Sequence, residues 1–360
     1  MPQRPLLFPV LHLALAFTAG AADGAAILYS SRIYKSDGRS YQQLTAIRFP
    51  GLKRSFVSST PRHHKEPAYS PDSHRIAFLS GGDTDTQGTE LWVRQIPTGR
   101  ETLLYRAPDL QTIDLIGWSQ DASSLYLVLL GKDEHISRFD VAKRRLFPIA
   151  PGCRATLAAN RLELAYETCP EDYRQPANAK VLELRPGKSR SLGKGSAASW
   201  SRDGRRISLA DNGARQLRIL DARSATGIAT VPFPDDPAHW NYVISTLWSP
   251  DGRSILAGSE AGSSTAHYED YWLLTIADRK WRYLGGGNGA QWSAASDRIV
   301  MSTPRDLAPL GKHQVWVSHL LLVDVRTDKK QPLTSGLSYD CSPAWALNGA
   351  ERPRRRTSPN

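Results

Sequence analysis

Runs of Ala, Leu, Glu and Lys, the material of helical bundles, are almost absent from this 360-residue chain, which also holds only two Met. Their scarcity excludes an all-helical design. Three Cys are too few for a disulfide scaffold. No Gly-x-Ser-x-Gly string occurs, so the nucleophile elbow of a serine hydrolase is missing. The net charge of +11 is dispersed, and its densest cluster is Arg352, Arg354, Arg355 and Arg356 at the C-terminus. Without a basic helix or an aromatic-basic strand motif, nucleic-acid binding is not expected. Long apolar runs are also missing, with one exception. Leu6 to Phe17 follows Arg4 and precedes the small residues Thr18 to Ala22. Charge, a short apolar stretch and small-x-small residues make a secretory signal peptide over residues 1–22. The apolar run is shorter than the roughly 20 residues that span a bilayer. The mature chain is therefore expected to be periplasmic or secreted, with no transmembrane segment.

What is abundant is aromatic and β-type. Ten Trp and 13 Tyr sit in short apolar segments between Gly, Pro, Asp and Ser clusters. One phrase recurs: an aromatic or apolar anchor, a Ser-Pro-Asp-Gly-like turn, then a strand-like run. Its anchors are Tyr69, Trp118, Leu157, Trp200, Trp248, Trp292 and Trp345. They lie roughly 40–50 residues apart, the period of four-stranded propeller blades. A hairpin follows most copies, beginning at Leu91, Ile136, Val181, Leu217, Tyr271 and Leu320. In the turn, Pro presets φ, Asp or Ser caps with its side chain, and Gly accepts a positive φ. The anchoring Trp is expected to wedge between blades. Trp345 opens an inner strand with nothing after it, while Ile27–Arg32 reads as a second strand with nothing before it. Joined, they complete a blade and remove the exposed sheet edges. The expected fold is all-β: one propeller over residues 27–347, seven-bladed, or six-bladed if the Leu157 copy is irregular. A basic tail follows over 348–360.

The segments Pro67–Ser80 (PAYSPDSHRIAFLS) and Leu247–Ser259 (LWSPDGRSILAGS) resemble the TolB-type, PD40-like propeller repeat. The resemblance covers nearly all of the mature chain. It implies a TolB-like propeller in the cell envelope whose partner is an envelope protein such as a peptidoglycan-associated lipoprotein. The family's additional α/β domain finds no room between the signal peptide and the first strand.

Candidate sites are sparse. His63, His64 and His239 precede inner strands, where separate blades can converge ligands near the channel. Similar histidines, with Gln, hold a divalent cation in the seven-bladed oligogalacturonate lyases, which resemble this architecture. No His-x-His or His-x-x-x-His spacing constrains them here. Trp240 and Tyr242 are candidate stacking surfaces for a glycan. Carboxylate neighbours such as Asp235–Asp236 and Glu269–Asp270 read as solvated turn residues. Cys153 and Cys169 flank the Leu157 hairpin, whose pairing would bring them close, a reasonable disulfide in an exported protein. Cys341 keeps other pairings open. The reading is a monomeric, non-catalytic scaffolding or protein-binding module without a cofactor. Its contact loops are 60–66, 105–113, 235–243 and 285–290, on one face. The alternative is a carbohydrate-binding propeller or a lyase-like enzyme using a divalent cation at the three histidines.

Overall fold

The computed structural model describes residues 26–49, 51–58, 63–81, 88–131, 134–168, 177–236, 239–240, 242–261 and 268–345. Residues 1–22, expected to be a signal peptide, the tail 348–360 and Cys169 lie outside them. Among the described residues every regular element is a strand, and no helix is long and apolar enough to cross a membrane.

Seven antiparallel four-stranded sheets form the blades. Blades 1 to 6 begin with the inner strands His64–Tyr69, Thr112–Trp118, Arg154–Leu157, Ser196–Trp200, Val243–Trp248 and Ala290–Trp292. The weak Leu157 copy is a full blade, so the count is seven. Blade 7 is composite: the C-terminal strand Ser338–Trp345 is innermost, and Ala26–Tyr34, Ser40–Arg48 and Lys53–Phe56 follow outward. Ile27 pairs with Trp345 and Ile33 with Ser338. The ring is closed by the two ends of the chain, as the sequence predicts.

The Trp anchors hold neighbouring blades in register. Trp118 Nε1 donates to Ala68 O at 3.0 Å, Trp248 Nε1 to Ser199 O at 3.2 Å, and Trp292 Nε1 to Leu247 O at 3.1 Å. In each case the acceptor immediately precedes the anchor of the blade before. The indole thus satisfies its one polar group while its ring fills the wedge between sheets. An Arg from the preceding blade covers that ring. The guanidinium of Arg75 lies 4.7 Å from the Trp118 ring centre, and Arg206 lies 4.7 Å from that of Trp248. Trp118 is fully buried within Leu79, Val93, Leu125 and Leu127.

The turn after each anchor is a side-chain-capped loop. Ser119 Oγ donates to Asp121 Oδ1 at 2.6 Å, and that oxygen accepts the Ser123 N–H at 3.0 Å. The same Ser–Asp pair recurs at Ser70–Asp72, Ser201–Asp203 and Ser249–Asp251. Gly204 and Gly252 both have φ of +70°, a conformation that costs Gly little.

Strand direction then sorts the connections. The tight turns after first and third strands lie on one face of the disc. Connections from second to third strands, and from one blade to the next, lie on the other. Loops 60–66, 105–113, 235–243 and 285–290 are all blade-to-blade connections, so their described residues share that second face. In blade 6 the second-to-third connection expands into an extra hairpin, Asp306–Leu310 with His313–Val317. Cys153, beside the blade 2 to 3 connection, is disulfide-bonded, and Cys341 is a buried thiol in the innermost strand of blade 7.

Candidate functional site

Inner strands deliver side chains to the channel through β-bulges. Register shifts occur in blade 1 between Lys65 and Ala68, and in blade 4 between Ser196 and Ser199. Blade 7 bulges between the partners of Leu28 and Ser30. The residues expelled there, Glu66, Ala197 and Ser342, have φ of +48°, +54° and +50°. Each stands three positions before its blade's anchor. A bulge re-aims a side chain out of the pleat; at Glu66 and Ser342 it brings two blades' side chains together, whereas Ala197 packs in the core between blades 4 and 5.

Two contacts show the convergence. Ser342 Oγ donates to Glu66 Oε1 at 3.0 Å, linking blades 7 and 1. Arg154 Nη1 of blade 3 reaches Ile244 O of blade 5 at 3.4 Å, passing over blade 4 and therefore across the channel mouth. The charge of Arg154 acts on Asp114, Glu167 and Glu269, which belong to blades 2, 3 and 5. Glu66 feels both Asp114 and Glu269. Three carboxyls thus gather around one guanidinium, at the end of the channel that opens on the long-connection face, and Glu66 joins them through Asp114 and Glu269.

Their electrostatics follow from depth. Burial, then the charge of Asp114, pushes Glu66 up to about 7, against the hydrogen bond from Ser342 and the charge of Lys65; Glu269 adds to the rise. Burial also lifts Asp114 and Glu167, with Arg154 opposing in both cases. Glu269 is raised by burial too, although Ser245 Oγ donates to its Oε2 at 2.6 Å and Tyr271 hydrogen-bonds to it. The Tyr271 phenol, raised well above its usual range by burial and by Glu269, accepts the Gly289 N–H at 2.9 Å. Room for Glu269 and Ser245 comes from Gly258, where a Cβ would collide with both side chains. The cluster therefore holds a proton at Glu66 near neutrality, next to the carboxyls Asp114 and Glu269, on which Arg154 acts. Such a cluster serves acid–base chemistry or charge recognition.

The sequence pointed elsewhere. His63 is exposed, while His64 is buried with its ring 4.6 Å from that of Phe78. Both begin blade 1, whereas His239 lies between blades 4 and 5, about half a turn away around the ring. His239 Nδ1 is 3.1 Å from Asp236 Oδ2, and its ring lies 4.6 Å from that of Tyr283. Among the described residues no three His, Cys, Asp or Glu side chains are grouped to hold a metal ion. Trp240 is only 2 % exposed. Its ring packs 4.7 Å from Phe233, 5.4 Å from Trp272 and 5.1 Å from Trp281, a core position rather than a stacking surface. Tyr242 is half-buried. Glu269 and Asp270, read as a solvated pair, are parts of strand Tyr268–Thr275, and Asp270 accepts the Tyr283 hydroxyl at 2.7 Å. The axial set was missed because its members lie on different blades. Aligning the position three before each anchor would have exposed Glu66 and Arg154 among Leu115, Ala197, Ser245, Gly289 and Ser342.

No family model matches the chain, and no curated protein matches it. Solved structures do. TolB from Acinetobacter baumannii superposes with a TM-score of 0.51 at 14% identity, covering 90% of this chain and 66% of its own. The fold is TolB-like. This chain thus spans about two thirds of that TolB. An oligogalacturonate lyase in complex with manganese matches with a TM-score of 0.56 at 9% identity, over 84% of this chain and 91% of the other. The β-propeller domain of the Trilobed protease from Pyrococcus furiosus gives 0.55 at 15% identity, over 86% and 92%. That propeller is described as having an open velcro topology; the TolB-like propeller here is closed through Ser338–Trp345. At such identities the likeness is one of architecture.

Proposed function

We propose that this protein is an exported, non-catalytic propeller of the cell envelope that grips a partner protein on its long-connection face. The observation that carries the reading is the extra hairpin of blade 6. Leu307 and Trp316 are paired across it and are 50 % and 38 % exposed. The Arg305 guanidinium lies 4.8 Å from the Trp316 ring centre. The hairpin is braced on blade 7, where Tyr34 OH donates to Trp316 O at 2.5 Å and the ring of His313 packs against Gly38. The braced Trp316–Arg305 pair has the composition of an interface hot spot, and Leu307 adds apolar area beside it. A peptidoglycan-associated lipoprotein is the kind of partner this reading favours.

A photo-crosslinking residue placed at Leu307 in living cells tests it. One discrete adduct, lost on Trp316→Ala, is the expected result. Leu162, exposed on the opposite face, is the control site. Equal adducts from both sites, or none from Leu307, would overturn the proposal. A second reading, a glycan-active enzyme, is favoured by Glu66 holding its proton near pH 7 close to the carboxyls Asp114 and Glu269. Cleavage of an acidic polysaccharide by the wild type, abolished by Glu66→Gln and dependent or not on added divalent cation, is its test.

A further inference from the structure

A second recess lies between blades 6 and 7, away from the axis. Its origin is a short strand. The outermost strands of blades 1 to 5 run six to eight residues, but that of blade 6, Lys330–Pro332, has three. Lower down, Ile27, Tyr29 and Ile47 of blade 7 pack on Leu320, Leu322 and Leu333. Beyond Leu333 the chain leaves that packing, and a groove of about 390 Å³ opens, lined on this side by Ser335, Leu337 and Ser338. This volume lies in the range of small-molecule sites, roughly 300–1,000 Å³.

The lining is chemically mixed in an ordered way. Tyr29 pairs with Thr45, and Thr45 with Phe56, giving a transverse row across the floor. The hydroxyls of Ser31 and Ser338 donate to the two oxygens of buried Asp340, at 2.6 and 3.1 Å. Their protons are thereby committed, so their remaining lone pairs are acceptors for a ligand's O–H groups. Ser55 is the converse: its oxygen accepts Arg48 Nη1 at 2.9 Å, leaving its own proton to donate. Arg54 spends Nη2 on Leu333 O at 3.0 Å, which orients the guanidinium and leaves further N–H donors. Phe56 and Leu337 form apolar lips, 62 % and 46 % exposed.

We propose that this groove binds a sugar acid: a ring with an apolar face against Phe56 and Leu337, hydroxyls toward the serines, and a carboxylate on Arg54. The site is separate from the hairpin patch and does not depend on the partner reading. Calorimetric titration of the mature chain with glucuronate tests it, with glucose and acetate as probes lacking charge or hydroxyls. Glucuronate should bind saturably, and the two controls about tenfold more weakly or not at all. Arg54→Gln and Phe56→Ala should each weaken glucuronate about tenfold, while Leu162→Ala on the opposite face should not. Phe56→Ala removes an exposed ring and carries the test if Arg54→Gln melts early. Absence of saturable binding by the wild type, or equal binding by both groove variants, would overturn the assignment.

Discussion

Glu66 makes a quantitative prediction because its environment penalises charge while its one hydrogen bond tolerates a neutral amide. A carboxyl that titrates at about 7 in the fold, against 4.5 ordinarily, favours the protonated native state. Between those values the native protein binds a proton that the unfolded chain has lost, so stability falls as pH rises. Below 4.5 the penalty is absent; above 7 it is complete, at about 3 kcal/mol. Glu66→Gln removes the charge and keeps an oxygen to accept from Ser342 Oγ. It should therefore stabilise the protein by up to about 3 kcal/mol at pH 8, shrinking below about 1 kcal/mol at pH 5. Urea unfolding of both proteins at pH 5, 6, 7 and 8 measures the difference. A gain that does not grow with pH, or a loss at pH 8, would refute the account of the axial cluster. Glu269 and Asp114, lifted in the same direction by burial, should leave Glu66→Gln with some residual loss of stability at high pH.

Trp118→Ala should cost about 3–5 kcal/mol in urea unfolding, since it removes a fully buried indole, its bond to Ala68 O and the seat of Arg75. Trp118→Phe should cost less. Asp121 is held down at about 2, first by the Ser119 hydroxyl and then by the Ser123 N–H and hydroxyl. Its contribution is complete above 3.8 and lost as pH falls toward 2. Asp121→Ala should thus cost about 1 kcal/mol at pH 7, an effect that fades in acid-titrated melts. Ending the chain at Leu337 removes the inner strand of blade 7 and leaves Ala26–Tyr34 as a bare edge. That protein should lose its single cooperative melt and associate in sedimentation; an unchanged monomeric melt would show that closure contributes nothing.

Why the blades were legible and the sites were not follows from the range of the interactions involved. The Ser-Pro-Asp-Gly turn is a local device: the bonds that close it, from Ser249 Oγ to Asp251 and Ser254 O and from Gly252 N–H to Ser249 O, span at most five positions, so a short string encodes it. The Trp anchor acts over one blade, a fixed span near 49 residues for Trp248 and Ser199, and repetition makes it visible. Closure was readable because each chain end lacks what the other supplies. Glu66 and Ser342 stand 276 positions apart, and no local pattern joins them. The bulges that turn them inward have no residue signature either, since Glu, Ala and Ser occupy the equivalent place. The histidines misled for the opposite reason. They occupy sequence-equivalent connections, but equivalence around a ring places blade 1 and the blade 4–5 junction across from each other.

The two faces of the disc divide the work in a way the charges make plain. On the tight-turn face, carboxylates are solvated and satisfied by nearby N–H and hydroxyl groups, which hold Asp72, Asp121, Asp203 and Asp324 below the ordinary range. Their role ends with the turn they close. At the opposite end of the channel, Glu66, Asp114, Glu167 and Glu269 are held above that range because burial outweighs their partners. A fold gains nothing from that second arrangement, which destabilises the native state wherever the groups ionise. Strain and desolvation of this kind concentrate where a molecule acts on something else. The extra hairpin and the short outer strand of blade 6 both depart from the repeat, and they do so at this same sector beside blade 7. The repeat supplies rigidity, and the positions that break it, Glu66 at the axis, Trp316 on the hairpin and Arg54 in the groove, are where binding should be sought.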